Sequence, residues 1–138
     1  MKQFVSSPLT GKTFFLYFVL IERILNGQRT AFQCDHGRAI LILDHHDLQI
    51  FPVATRLDPE AYSGMWALVD SNSRVVQPRD EFISAHSKFF VVQAASPQPM
   101  RWKTWKKERD ADMAVMKPWT WEEMYIGGSV HSDNIILL

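Results

Sequence analysis

Gly11-Lys12-Thr13 stands directly before the apolar run FFLYFVLI, Phe14 to Ile21. An ammonium and a hydroxyl in tandem at a helix start are the pieces that neutralise terminal phosphates and help hold magnesium. Backbone N–H groups and the helix dipole converge there on an anion. The triplet closes the pattern G-x-x-x-x-G-K-[ST], although Ser6 stands where that pattern has its first glycine. The same chemistry needs a carboxylate near the metal. Asp70 meets this need, because four apolar residues, Trp66 to Val69, deliver it at a strand end, where ligands bind in open α/β sheets. A further apolar run, Phe89 to Ala95, brings the Ser96 hydroxyl to the same edge. The set therefore reads as phosphate contacts from Lys12, metal contacts from Thr13 and Asp70, and a polar group at Ser96.

These residues require elements that carry them to one place. Gln3-Phe4-Val5 reads as a short strand, residues 6–12 as a turn, and residues 13–26 as a helix ended by Gly27 in the left-handed conformation. That helix is apolar almost all round, which predicts burial on several sides. Strands are expected at 30–34, 39–43 and 48–51, with the turn DHHD (Asp44 to Asp47) making a hairpin of the last two. The runs ending at Asp70 and Ser96 lack alternation, as strands covered on both faces do. Segments 52–64 and 71–81 read as loops, with a short helix near 78–87. Trp102 and Trp105, at i and i+3, give a helix over 101–109 one buried edge, and Thr120 with Glu123 outlines a capping box for a helix through Tyr125. The expectation is an α/β domain over residues 1–126, with a mainly parallel, shortened sheet flanked by helices, a hairpin near 39–51 and a C-terminal tail over 127–138, its end a strand or an apolar tail.

Bulk properties narrow the partners. Fifteen basic residues balance fifteen acidic ones, which removes any global pull toward nucleic acid or an anionic membrane. Cys34 is the only cysteine, so neither an intramolecular disulfide nor a cysteine-based zinc site can form, which favours an intracellular setting in cytoplasm or nucleus. Glu22 and Arg23 follow the apolar run at once, and no small-residue cleavage site comes after it, so the segment reads as neither secretion signal nor membrane anchor. Asp44-His45-His46-Asp47, with His36 nearby, has metal-ligating residue types. Adjacent strand histidines point to opposite faces, however, and a solvated hairpin tip is the simpler reading. RWKTWKKER (Arg101 to Arg109) interleaves tryptophan with cations as single-stranded nucleic-acid binders do, yet Glu108, Asp110 and Asp112 dilute the charge. The aromatic group Trp102, Trp105, Trp119 and Trp121 is also a candidate surface for a protein partner or a homodimer.

The order of these pieces resembles a family. SSPLTGKTFFLYFVLIERILNGQRTAFQ, MWALVDSNS, FFVVQAASP and KPWTWEEM look like the nucleoside-triphosphatase module shared by Crinkler-type proteins and the retrotransposon hot spot proteins, over roughly residues 3 to 126. The resemblance implies a P-loop α/β fold that binds ATP or GTP with magnesium. It assigns Ser6, Leu9, Thr10, Gly11, Lys12 and Thr13 to the nucleotide loop, Asp70 with Thr13 to the metal, and Ser96 to the end of the next core strand. The family loop looks like G-x-P-G-x-G-K-T, whereas Ser6 and Leu9 replace its first two glycines here. A leucine forced to a glycine conformation costs on the order of 1 to 3 kcal/mol, a tenfold loss of affinity or more. Many such hydrolases place a glutamate beside the aspartate to orient water. Ser71 follows Asp70 instead, leaving Asp70 itself or Asn72 for that task. The expected function is binding of a nucleoside triphosphate with magnesium and weak hydrolysis at most. The rivals are a non-enzymatic interaction scaffold and a single-stranded nucleic-acid binder.

Overall fold

The computed structural model describes residues 11–33, 39–52, 55–58, 60–71, 77–96 and 98–114, and the backbone of 135–137. Helix α1 spans Lys12–Leu25, a stretch free of glycine and proline. Behind it Gly27 takes φ +69°. The Gln28 N–H donates to the Arg23 carbonyl at 2.8 Å and the Gly27 N–H to the Ile24 carbonyl at 2.9 Å. These paired bonds form a Schellman closure that satisfies carbonyls the helix end would orphan.

Strand β1 (Thr30–Gln33) is followed by β2 (Ala39–Leu43) and β3 (Leu48–Pro52). The expected hairpin joins the last two. Asp44 Oδ1 accepts from the His46 and Asp47 N–H groups, each at 2.8 Å, and the Asp44 N–H donates to the Asp47 carbonyl at 3.1 Å. An Asx turn of this kind lets one side chain stand in for backbone partners. Strands β4 (Trp66–Asp70) and β5 (Phe90–Ala94) carry the two apolar runs. Between and after them lie α2 (Asp80–Ile83), a 3₁₀ turn at Pro99–Arg101 and α3 (Lys103–Arg109).

Five strands of four or five residues stand in the order β3-β2-β1-β4-β5, and two three-residue strands, β7 (Ile135–Leu137) and then β6 (Asp112–Ala114), continue the sheet beyond β5. The sheet is mixed, which corrects the mainly parallel expectation: β1–β2 and β2–β3 are antiparallel, β1–β4 and β4–β5 parallel. Connection length explains the difference. Residues 34–38 and 44–47 are too few for the dozen or so that a parallel crossover needs, so β2 and β3 must fold back, whereas residues 71–89 leave room for α2. Strand β6 had no signal in its sequence, DMA, and all three of its side chains are exposed.

Alternation assigns the side chains to two layers. On one face Leu16 and Leu20 of α1 pack with Phe32, Leu68, Val92 and Ala94. On the other, Phe82 of α2 and Trp105 of α3 cover Ala31, Ile42, Ala67, Val69 and Val91. Strands β4 and β5, whose runs are almost wholly apolar, are covered on both sides, as is β1 despite its Thr30 and Gln33, whereas β2, apolar throughout, is fully buried only at Ile40 and Ile42. Helix α1 departs from expectation, since only Leu16 and Leu20 are buried and Phe14, Tyr17, Phe18, Ile21 and Leu25 are exposed. It packs on β1, β4 and β5 with one side only, leaving an apolar outer side in water. The strand expected at 3–5 and the capping box at Thr120 with Glu123 lie outside the described residues, as do Cys34, His36, Trp119 and Trp121.

Candidate functional site

The first turn of α1 meets the C-terminal ends of β4 and β5. Asp70, the last residue of β4, sits on the α1 face in alternation with Trp66 and Leu68. Thr13 Oγ1 donates across the layers to its carboxylate, 3.2 Å from Oδ2 and 3.4 Å from Oδ1. Lys12 Nζ donates to the carbonyl of Ala95, just past β5, at 3.0 Å. Residues 57 and 83 positions apart in the chain thus form one cluster. The register that aligns Asp70 with Ala94 levels the two strand ends.

Electrostatics tie the cluster further. Partial burial holds the Lys12 ammonium below the ordinary lysine value, and the nearby Asp70 carboxylate pulls in the opposite direction. Beside Ala95, the Ser96 hydroxyl oxygen is enclosed and has no hydrogen-bond partner among the described residues. A buried hydroxyl left unpaired costs roughly 1 to 3 kcal/mol, so its position favours an additional acceptor or donor there. Among the described residues no side chain caps the first turn of α1 and no acidic residue lies within it, so Asp70, reaching across from β4, is the carboxylate that faces the helix head. Gly11 adopts φ −56°, which any residue can take, and a Cβ built on it would meet no atom within 4 Å. Its glycine therefore leaves open space at the head of the helix rather than permitting an unusual backbone conformation. Of the other loop positions expected to contribute, Ser6, Leu9 and Thr10 lie outside the described residues, and so does Asn72.

Sequence reading missed the opposite face of the same strand ends. Gln93, fully buried in the centre of β5, donates through Nε2 to Ser71 Oγ at 2.7 Å and to the Arg101 carbonyl at 2.9 Å. Its Oε1 accepts from the Trp105 indole at 2.8 Å. The amide thus binds the residue after Asp70, the 3₁₀ turn and α3 into one unit, and the Ser71 N–H adds a bond to the Ala94 carbonyl at 2.8 Å. The signal was present in the sequence: a lone amide in the run FFVVQAA must find partners when buried. Ser71, occupying the position where a water-orienting glutamate was sought, is turned away from Thr13 and held by Gln93.

Two members of the basic-aromatic segment are likewise turned inward, whereas Lys103 and Lys107 are exposed. Trp105 is in the core, and the Arg109 guanidinium donates to the carbonyls of Phe82, Ser84, Ser87 and Phe89 at 2.8 to 3.3 Å. A base-stacking platform needs exposed rings, which Trp105 does not provide. His45 and His46 lie exposed at the hairpin tip with ring centroids 3.6 Å apart. Among the described residues no three His, Cys, Asp or Glu side chains gather as a metal site, and no helix is long and apolar enough to cross a membrane.

No family model, no curated protein and no solved structure matches the chain.

Proposed function

We propose that this protein binds a nucleoside triphosphate with magnesium at the head of α1, in a P-loop-like arrangement. The observation that carries the reading is the convergence of Lys12, Thr13 and Asp70 at one sheet edge, through the Thr13–Asp70 hydrogen bond and the Lys12–Ala95 hydrogen bond. The Thr13 hydroxyl and the Asp70 carboxylate are hard oxygen donors of the kind magnesium accepts, and an ion held by few protein groups draws its remaining ligands from phosphate and water. Those two residues would hold the ion, which supplies charge neutralisation on the phosphates. Lys12 neutralises the terminal phosphates once it leaves the Ala95 carbonyl, and the N–H groups of the first turn complete the anion site. The Ser96 hydroxyl supplies a hydrogen bond that no described residue takes up.

Binding is favoured over turnover, because Ser71 is engaged with Gln93 on the far face and offers no base to a water. Phosphoryl transfer depends on a positioned nucleophile, and the described residues supply only Asp70 for that task. Base identity, adenine or guanine, has no counterpart among these contacts. The test is a thermal shift with magnesium and ATP or GTP. A ligand at 100 times its dissociation constant adds about 2.7 kcal/mol of stability. Wild type should show such a rise, and Lys12→Ala and Asp70→Asn should lose it while still melting cooperatively. A wild-type melting temperature that neither nucleotide moves overturns the reading.

A further inference from the structure

Among the described residues, seven of the nine large hydrophobic side chains that stand exposed lie on one side of the sheet. Five are on α1: Phe14, Tyr17, Phe18, Ile21 and Leu25, with Phe14 60% and Leu25 75% exposed. The other two, Leu48 and Ile50, are on the edge strand β3, opposite Leu43 and Leu41, which belong to the α1-side layer. Together the seven expose the equivalent of about four whole side chains, roughly 600 to 1,000 Å² at the 150 to 250 Å² of a large side chain. A typical largest patch on a monomer is about 300 to 600 Å², and one side of a stable interface is about 800 Å². Summed over α1 and β3, the exposed apolar area reaches the size of one side of an interface.

The spacing indicates the occupant. Phe14, Phe18, Ile21 and Leu25 follow one another by four, three and four residues, which draws a single stripe along the outer side of α1. That sequence of steps reads the same in both directions, so a two-fold axis between Phe18 and Ile21 superposes the stripe on its own reverse. Each aromatic end then meets an aliphatic end, Phe14 against Leu25 and Phe18 against Ile21, which balances large and small volumes across the seam. No charged residue interrupts α1 between Lys12 and Glu22, and antiparallel helices oppose their dipoles favourably. An isologous contact needs a self-complementary patch of this kind.

We propose that this face is the interface of a two-fold homodimer in which α1 of one copy packs antiparallel on α1 of the other. The proposal stands independently of nucleotide binding, since none of its residues belongs to the Lys12–Thr13–Asp70 cluster. Sedimentation of the full chain at micromolar concentration should give twice the chain mass. Phe18→Glu should give a monomer with an unchanged circular dichroism spectrum, because the ring is already exposed in the single chain, whereas Met100→Glu, exposed elsewhere, should keep the dimer. Orientation is read separately in a Cys34→Ser background. Oxidation of a mixture of Phe14→Cys and Leu25→Cys chains should yield the mixed disulfide, and Phe14→Cys alone should yield little. A wild-type monomer overturns the proposal, whether Phe18→Cys then reacts with a thiol reagent, leaving the face for a different protein, or resists it, showing that the chain covers its own helix. Disulfides of Phe14→Cys with itself as abundant as mixed ones overturn the antiparallel arrangement.

Discussion

At the residue scale, the site turns on one ammonium. Burial disfavours the charged form of Lys12 and depresses its pKa below 10.5, with Asp70 offsetting part of that effect. The sign follows from linkage: a lysine more easily deprotonated in the folded chain carries its burial penalty fully below its folded pKa. The penalty is relieved as pH rises from that value toward 10.5. Without ligand, the contribution of Lys12 to stability therefore increases through that alkaline window, and Lys12→Met should abolish this rise in a pH series of melting temperatures. Nucleotide affinity should move oppositely, because a neutral amine offers phosphate no charge. Affinity measured by calorimetry should fall as pH passes the lowered pKa, and Lys12→Arg should hold it constant over the same range. Lys12, Thr13, Asp70 and Ser96, which the structure brings to one sheet edge, stood out in the sequence because each is a polar residue at the boundary of an apolar run. The Ala95 carbonyl was not, since every residue has one and only the packing of α1 selects it.

At the element scale, the strand ends are held by bonds that run on both faces of the sheet. Replacing Gln93 by leucine would orphan the Trp105 indole and the Ser71 hydroxyl, and an unsatisfied buried group costs about 1 to 3 kcal/mol. Gln93→Leu should therefore destabilise by about 2 to 4 kcal/mol in urea denaturation, with a red shift of tryptophan emission if Trp105 loosens. Gly27 offers a sharper case. Its φ of +69° is the left-handed region, and a Cβ would meet the His45 ring at an ordinary 3.6 Å, so strain alone decides the outcome. Gly27→Ala should cost about 1 to 2 kcal/mol. Gly11→Ala, at φ −56° with open space around it, should change unliganded stability by less than about 0.5 kcal/mol. The helix end and the hairpin were readable because glycine and DHHD carry local backbone chemistry. The Gln93 network joins β5 to the residue after β4, to the 3₁₀ turn and to α3, and no local rule brings those together.

At the scale of the whole molecule, the sheet is covered unequally. Among the described residues, one face carries α2, α3 and the larger buried cluster, whereas the other carries α1 and leaves Leu48 and Ile50 of β3 and the outer side of α1 exposed. If two copies bury that side, stability is coupled to association, and the melting temperature should climb with protein concentration. In Phe18→Glu it should not, which differential scanning calorimetry over a dilution series can measure. Trp102 and Trp105 form the buried edge that their i, i+3 spacing suggested, rather than the partner surface that was the other candidate: Trp105 is buried and Trp102 packs against the same cluster. The apolar helix expected to be enclosed is the one that stands open. Local chemistry in the chain determined most helix and strand segments, the turn types and the polar residues that bound the apolar runs, because periodicity, glycine and polar punctuation act over a few neighbours. Only the tertiary structure decided strand direction, which side of α1 is covered, and the meeting of Lys12, Thr13 and Asp70, because those depend on which distant surfaces exclude water from one another.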